Sequence, residues 1–269
     1  MEPETYQTLE TYREVADNLY AVSGMVLFCF AKHDCDTQNI IIRNFIARSS
    51  MSLKSIFALW DINDFQNAWI LYRSLVDRMF HLRHIGTKNE FAEFDDWSFF
   101  EQYKSQNRLK SDKEFKHEVV GWVYELNTEQ KNRMRKLEKQ KPIWKRPKAE
   151  DVAKDMEMEF LYKYGYDFAS KHVHPMSNDG QEDFYTITKL EPSPRFPSHI
   201  TVIHNSIMTA LLILQDALDF SSFQWRSILW TYIDEVKNLL KNGDKSYQLS
   251  FLKLANLFNI EILCERIRS

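Results

Sequence analysis

Apolar side chains recur along this chain at steps of three and four residues, over stretches much longer than a strand. Leu9, Tyr12, Val15, Leu19, Val22, Met25 and Val26 begin the pattern; Ile40, Ile41, Phe45, Met51, Leu53, Ile56, Phe57 and Trp60 continue it. A helix turns about 100° per residue, so this spacing gives each segment one apolar face that needs a partner. Only 6 glycines and 7 prolines interrupt 269 residues. Both residues punctuate turns, so their scarcity favours long helices joined by few loops. The expectation is an all-α, multi-helix bundle forming a single domain over 1–269. Aromatics at 14% point to a core of large side chains.

The punctuation that does exist places the elements. Helices are expected over about 5–33, 38–60 and 64–85, with Asp36 or Thr37 capping the second and Gly86 stopping the third. Asp61-Ile62-Asn63-Asp64 reads as a tight turn that makes helices two and three an antiparallel hairpin. An aromatic segment from Phe91 to Tyr103, a shorter helix near 113–124, and a helix starting at an Asn127/Thr128 cap follow. A further helix is expected over about 149–173, then an irregular stretch in which Phe184–Thr188 alternates like a short strand. Three closing helices over about 198–220, 222–241 and 245–266 complete the chain, with Asn242-Gly243-Asp244 between the last two.

Net charge is −3, so there is no protein-wide basic field, and contact with nucleic acid would require a local patch. Cys29, Cys35 and Cys264 form no Cys-x-x-Cys pair, which fits a reduced, cytoplasmic protein without a zinc site. The longest apolar run, Tyr20 to Ala31, is shorter than the roughly 20 residues a bilayer requires, so no membrane association is expected. His33-Asp34-Cys35-Asp36 carries metal-ligand types without a closed set and reads as a helix stop. No phosphate-binding loop, dinucleotide fingerprint or nucleophile elbow is present, and no cofactor is expected.

The stretch Tyr72 to His84, YRSLVDRMFHLRH, concentrates the polar chemistry. With Arg73 at zero, Asp77 falls near 40°, His81 near 80° and His84 near 20°, among the rings of Trp69 and Phe80. Arg73 and Asp77 are four apart and can pair on the helix. A second polar stripe, Tyr166, Ser170 and His174, precedes Pro175, where a helix must end. If the two helices pack together, Ser170 and His174 meet Arg73 and Asp77 in one cleft, and a carboxylate orients an imidazole as a general base. The alternative is that the same groups only lock two helices together.

LYRSLVDRMFHLRHI at 71–85, with YKYGYDFASKHVHPM at 162–176, resembles the bacterial DUF5677 proteins, an uncharacterised helical family. Arg73, Ser74, Leu75, Asp77, Tyr166, Ser170 and His174 match its pattern, and the resemblance spans about 38–180, with helices 198–266 packing on that core. The chain is more distantly similar to HEPN domains, whose signature is an arginine, four to six residues, then a histidine. Arg78 and His84 fit that spacing, although Met79 stands where a polar residue is typical and the two side chains lie about 120° apart on a helix. This similarity implies a HEPN-like antiparallel core with extra helices and a metal-independent ribonuclease of toxin–antitoxin or phage-defence systems. It implies RNA as substrate, a homodimer, and an antitoxin or other defence-system partner. In that chemistry a histidine serves the ribose 2′-hydroxyl and an arginine steadies the phosphate.

Between Lys131 and Lys148 the chain carries nine Lys/Arg against one acid. Lys131, Arg133, Arg135, Lys145 and Arg146 are the candidate nucleic-acid contacts, with Trp144 placed to stack on a base. The plainer reading is a solvated face neutralised by the acids that follow, Glu150 to Glu159. Two functions follow for the whole chain: a ribonuclease effector, or a non-catalytic helical protein that binds a ligand or partner.

Overall fold

The computed structural model describes residues 6–31, 36–114, 125–174, 176–177, 180–190, 200–221 and 226–257. They form an all-α architecture, with no strand among the described residues. The helices are α1 (Leu9–Ala31), α2 (Thr37–Asp61), α3 (Phe65–Lys88), α4 (Phe91–Ser111), α5 (Thr128–Lys139) and α6 (Ala149–Asp155). A composite segment follows: α7 (Glu159–Leu161), a π-helix (Tyr162–Asp167) and α8 (Phe168–Ser170). Then come α9 (Gln181–Thr188), α10 (Ile200–Asp219), α11 (Arg226–Asn242) and α12 (Tyr247–Leu257). The chain groups into two compact units, Met1–His84 with Lys148–Ser269, and Ile85–Pro147, the boundary falling near the end of α3.

Caps act where local chemistry demands them. The Asp36 carboxylate accepts from the Asn39 N–H at 2.8 Å, and Asn127 forms a reciprocal capping box with Gln130. α3 runs past Gly86 to Lys88 and ends at Asn89, whose φ of 54° is left-handed; asparagine tolerates that region better than most residues, so the glycine is not needed as the stop. The expected helix over 149–173 is interrupted: Glu157 turns left-handed at φ 55° and the chain restarts as the composite segment. Phe184–Thr188 lies inside α9, so the expected strand is a helix there. Five residues of alternation are a weak signal, and β-propensity largely reports packing context. His33 to Cys35, residues 115–124 of the expected short helix, Pro175 and the end of the last helix lie outside the described residues.

In the first unit α1, α2 and α10 pack together, with α11 and α12 on α10 and α1. Val15, Val22, Ile42, Ile56, Ile203 and Leu211 are fully buried there. Ser50 and Ser206 are also buried and return their hydroxyls to the Ile46 and Val202 carbonyls, so these small side chains allow close helix approach without orphaned donors. The residual gap between α1, α2 and α10 is about 10 Å³, about the space of one water molecule. Tyr247 and Gln248 of α12 both donate to Glu14 of α1, at 2.7 and 2.6 Å. α1 and α10 are each long and apolar enough, by length and composition, to cross a membrane, and both contribute to this core.

In the second unit α4 packs on α5. Trp144 is buried against Phe94 and Trp97, with ring centroids 5.1 and 4.7 Å away. That position withdraws it from any role as a stacking platform. Arg133 donates to Asp95 and Asp96 and lies over the Phe99 ring, so its neutralising acids come from α4 rather than from the acidic run after Lys148. Lys131, Arg135, Lys145 and Arg146 remain exposed.

Candidate functional site

Two separated segments build one polar cluster in the first unit. Arg73 projects from α3 and donates through Nε to Ser170 Oγ at 2.8 Å, and through Nη2 to the Tyr166 hydroxyl at 2.7 Å. Its guanidinium carbon also lies 4.6 Å from the Tyr166 ring centroid. Ser170 in turn donates to the Tyr166 carbonyl at 2.8 Å, which fixes its lone pairs toward Arg73. Tyr162 stacks on Tyr166 at 5.6 Å, and Phe80 closes the ring at 6.3 Å. The geometry depends on the π-helical turn, a form that often occurs at functional sites. It carries Tyr166 and Ser170 toward α3 together.

Gly165 lies inside that turn and is buried. A Cβ at this position would stand 2.7 Å from the Tyr72 hydroxyl and 3.0 Å from Leu161 Cδ1. The absent side chain is therefore what allows the turn to close on α3. Burial pushes the Tyr72 phenol up to about 12, against a smaller downward pull from the Thr209 hydroxyl.

Arg73 is half-buried, and among the described residues no carboxylate pairs with it; its bonds go to neutral hydroxyls. Asp77 instead faces His81, with Nδ1 and Oδ2 3.9 Å apart and both side chains largely covered. The expected Arg73–Asp77 pair is thus replaced by an Asp77–His81 pair on the same α3 face. The meeting of Ser170 with Arg73 is found as expected, but His174 is exposed and makes no hydrogen bond to Arg73. The helix stops at Ser170, and the next amides turn back to Phe168, Ala169 and Ser170, so the four-residue stripe breaks before His174. His172 stacks on Trp69 instead, at 5.8 Å and 8° between planes.

Arg78 and His84 do not share a site. Arg78 donates to the carbonyl and hydroxyl of Ser74, while burial and the neighbouring Arg48 charge hold it below its ordinary pKa against the pull of Asp77. His84 is buried in the core. Among the described residues no three His, Cys, Asp or Glu side chains gather in a metal-ligand arrangement.

A family model described as a family of unknown function, DUF5677, matches residues 39–185. The chain belongs to that family. The match contains both halves of the cluster, Arg73 on α3 and Tyr166 and Ser170 on the composite segment. No curated protein and no solved structure matches the chain. The sequence places His81 on this α3 face but pairs Asp77 with Arg73, although the four-residue step from Asp77 to His81 offers the same opportunity. Sequence reading missed Arg83, which grips Asp216 through Nε and Nη2 at 2.9 and 2.8 Å; two residues 133 positions apart carry no local trace of that pairing.

Proposed function

We propose that the protein is a metal-independent endoribonuclease effector of the HEPN-like kind. The observation that supports this most is the half-buried Arg73 guanidinium, which pairs with no carboxylate among the described residues, on the same helix face as the Asp77–His81 pair. A cation held by neutral hydroxyls keeps its charge available for an anion, and a phosphodiester supplies one. His81, 3.9 Å from the Asp77 carboxylate, takes the proton from the ribose 2′-hydroxyl. That oxygen attacks phosphorus, the bond to the 5′-oxygen breaks, and the departing oxygen takes a proton. His174, exposed beyond Ser170, is a candidate for that second proton. The products are a 2′,3′-cyclic phosphate and a 5′-hydroxyl. The reading carries with it a cytoplasmic location and a role in bacterial stress or phage defence, with an antitoxin-like partner.

The test is cleavage of single-stranded RNA in the presence of a chelator, with the ends identified chemically. Arg73→Ala and His81→Ala should each lower the rate by 10²-fold or more while the protein stays folded. Full activity in both variants sinks the reading. A second reading, a non-catalytic binding protein, is favoured by one specific observation: Arg73 bridges α3 to residues 166 and 170 and could serve only as a lock. Under that reading the variants lower the melting temperature and no cleavage exists to lose.

A further inference from the structure

The second unit contains an open groove of about 590 Å³ between α4 and α5. Phe100, Tyr103, Lys104, Asn107 and Arg108 of α4 line it, facing Met134 of α5. On α4 these positions recur at steps of three and four, so rings and cations share one helix face. Glu138 is the carboxylate on the groove wall. Lys131 and Arg135, both exposed, lie on the same α5 face as Met134 and Glu138 by helical spacing and add positive charge beside the groove. Among the described residues Lys104 pairs with exposed Glu101 at 3.6 Å, a weak tie that a stronger anion can displace.

We infer that this groove binds single-stranded RNA, the backbone lying along Lys104, Arg108, Lys131 and Arg135 and a base stacking on Tyr103 and Phe100. Charge complementarity selects a polyanion, because the protein as a whole is acidic, with net charge −3, while this face is locally basic. The rings select an unpaired strand, since a duplex offers no free base face. A ring platform beside a cationic track is the device by which single strands are held without sequence preference. The choice of RNA over DNA rests on the ribonuclease reading; the groove itself does not. Of the basic positions the sequence singled out, the track keeps Lys131 and Arg135 and adds Lys104 and Arg108 of α4, whereas Arg133 is already neutralised by Asp95 and Asp96.

Fluorescence anisotropy of a short, unstructured, end-labelled RNA across a salt series tests this, using the full chain and its Arg73→Ala variant to avoid cleavage. Lys104→Ala with Arg108→Ala should weaken binding about tenfold or more and reduce the log–log salt slope by about 1.4. Tyr103→Ala should weaken it by about fivefold or more, and Tyr103→Phe should restore it, because the ring face is kept. Unchanged affinity and slope in the double variant overturn the inference, as does a tyrosine variant that matches the wild type. DNA of the same sequence bound more tightly than RNA overturns the assignment to RNA. Binding that depends on the groove without any cleavage by the wild type sinks the ribonuclease reading and leaves the groove standing. Cleavage that persists when the groove variants bind normally sinks the groove alone.

Discussion

Gly165 and Tyr72 show how a single missing methyl shapes the site. Alanine is ordinarily the better helix former, by about 1 kcal/mol. Here its Cβ would enter 2.7 Å from a fully buried hydroxyl, and overpacking of this kind costs about 1–3 kcal/mol. The second effect should win, so Gly165→Ala should lower stability in a denaturant melt. Adding Tyr72→Phe removes the obstructing oxygen and should recover much of the loss; a double variant no better than the sum of its parts would refute the contact. Arg73 illustrates the residue scale differently. The sequence placed it four residues from Asp77, but its actual partners are Ser170 and Tyr166. Local spacing permits a pair; it does not choose between that pair and a distant one of better geometry.

At the scale of elements, Arg83 fastens α3 to α10 and also donates toward the Met158 sulfur. Burial pushes the Asp216 carboxyl above the usual range, and Arg83 pulls it part of the way back. A carboxyl raised on folding contributes stability below its unfolded pKa and loses it as pH rises through the folded value. At neutral pH the ionised group is therefore costly, and Arg83 limits that cost. Arg83→Ala should destabilise by about 3–5 kcal/mol at neutral pH, with the deficit narrowing as the pH falls and Asp216 takes up a proton. Melts of the variant and wild type over an acid-to-neutral series check both magnitude and sign. Replacing both partners by apolar residues of similar volume should cost much less.

Across the whole molecule, buried phenols set an alkaline limit. Tyr72 is raised from 10.0 to about 12, and burial raises Tyr232 and Tyr247 as well, with Glu14 adding to the latter. For a group raised on folding the stabilisation is complete below the unfolded pKa and disappears as pH climbs toward the folded one. Tyr72 alone should therefore remove on the order of 2–3 kcal/mol between pH 10 and 12. Melting temperature should drop steeply over that window, and Tyr72→Phe should flatten the slope; an unchanged slope would show that another group governs it. The sequence by itself determined what neighbours along the chain decide: most of the long helices, because apolar periodicity and the Asp36 and Asn127 caps act within a few residues. It also marked Arg73, Asp77, Ser170 and His174 as one set on legible helix faces, of which Arg73 and Ser170 meet. The tertiary structure alone decided that a π-helical turn sets Tyr166 and Ser170 on Arg73, that the helix ends before His174, and that Arg83 finds Asp216. Those outcomes depend on which close approaches and counter-charges are available across long chain separations, and no short-range pattern encodes that.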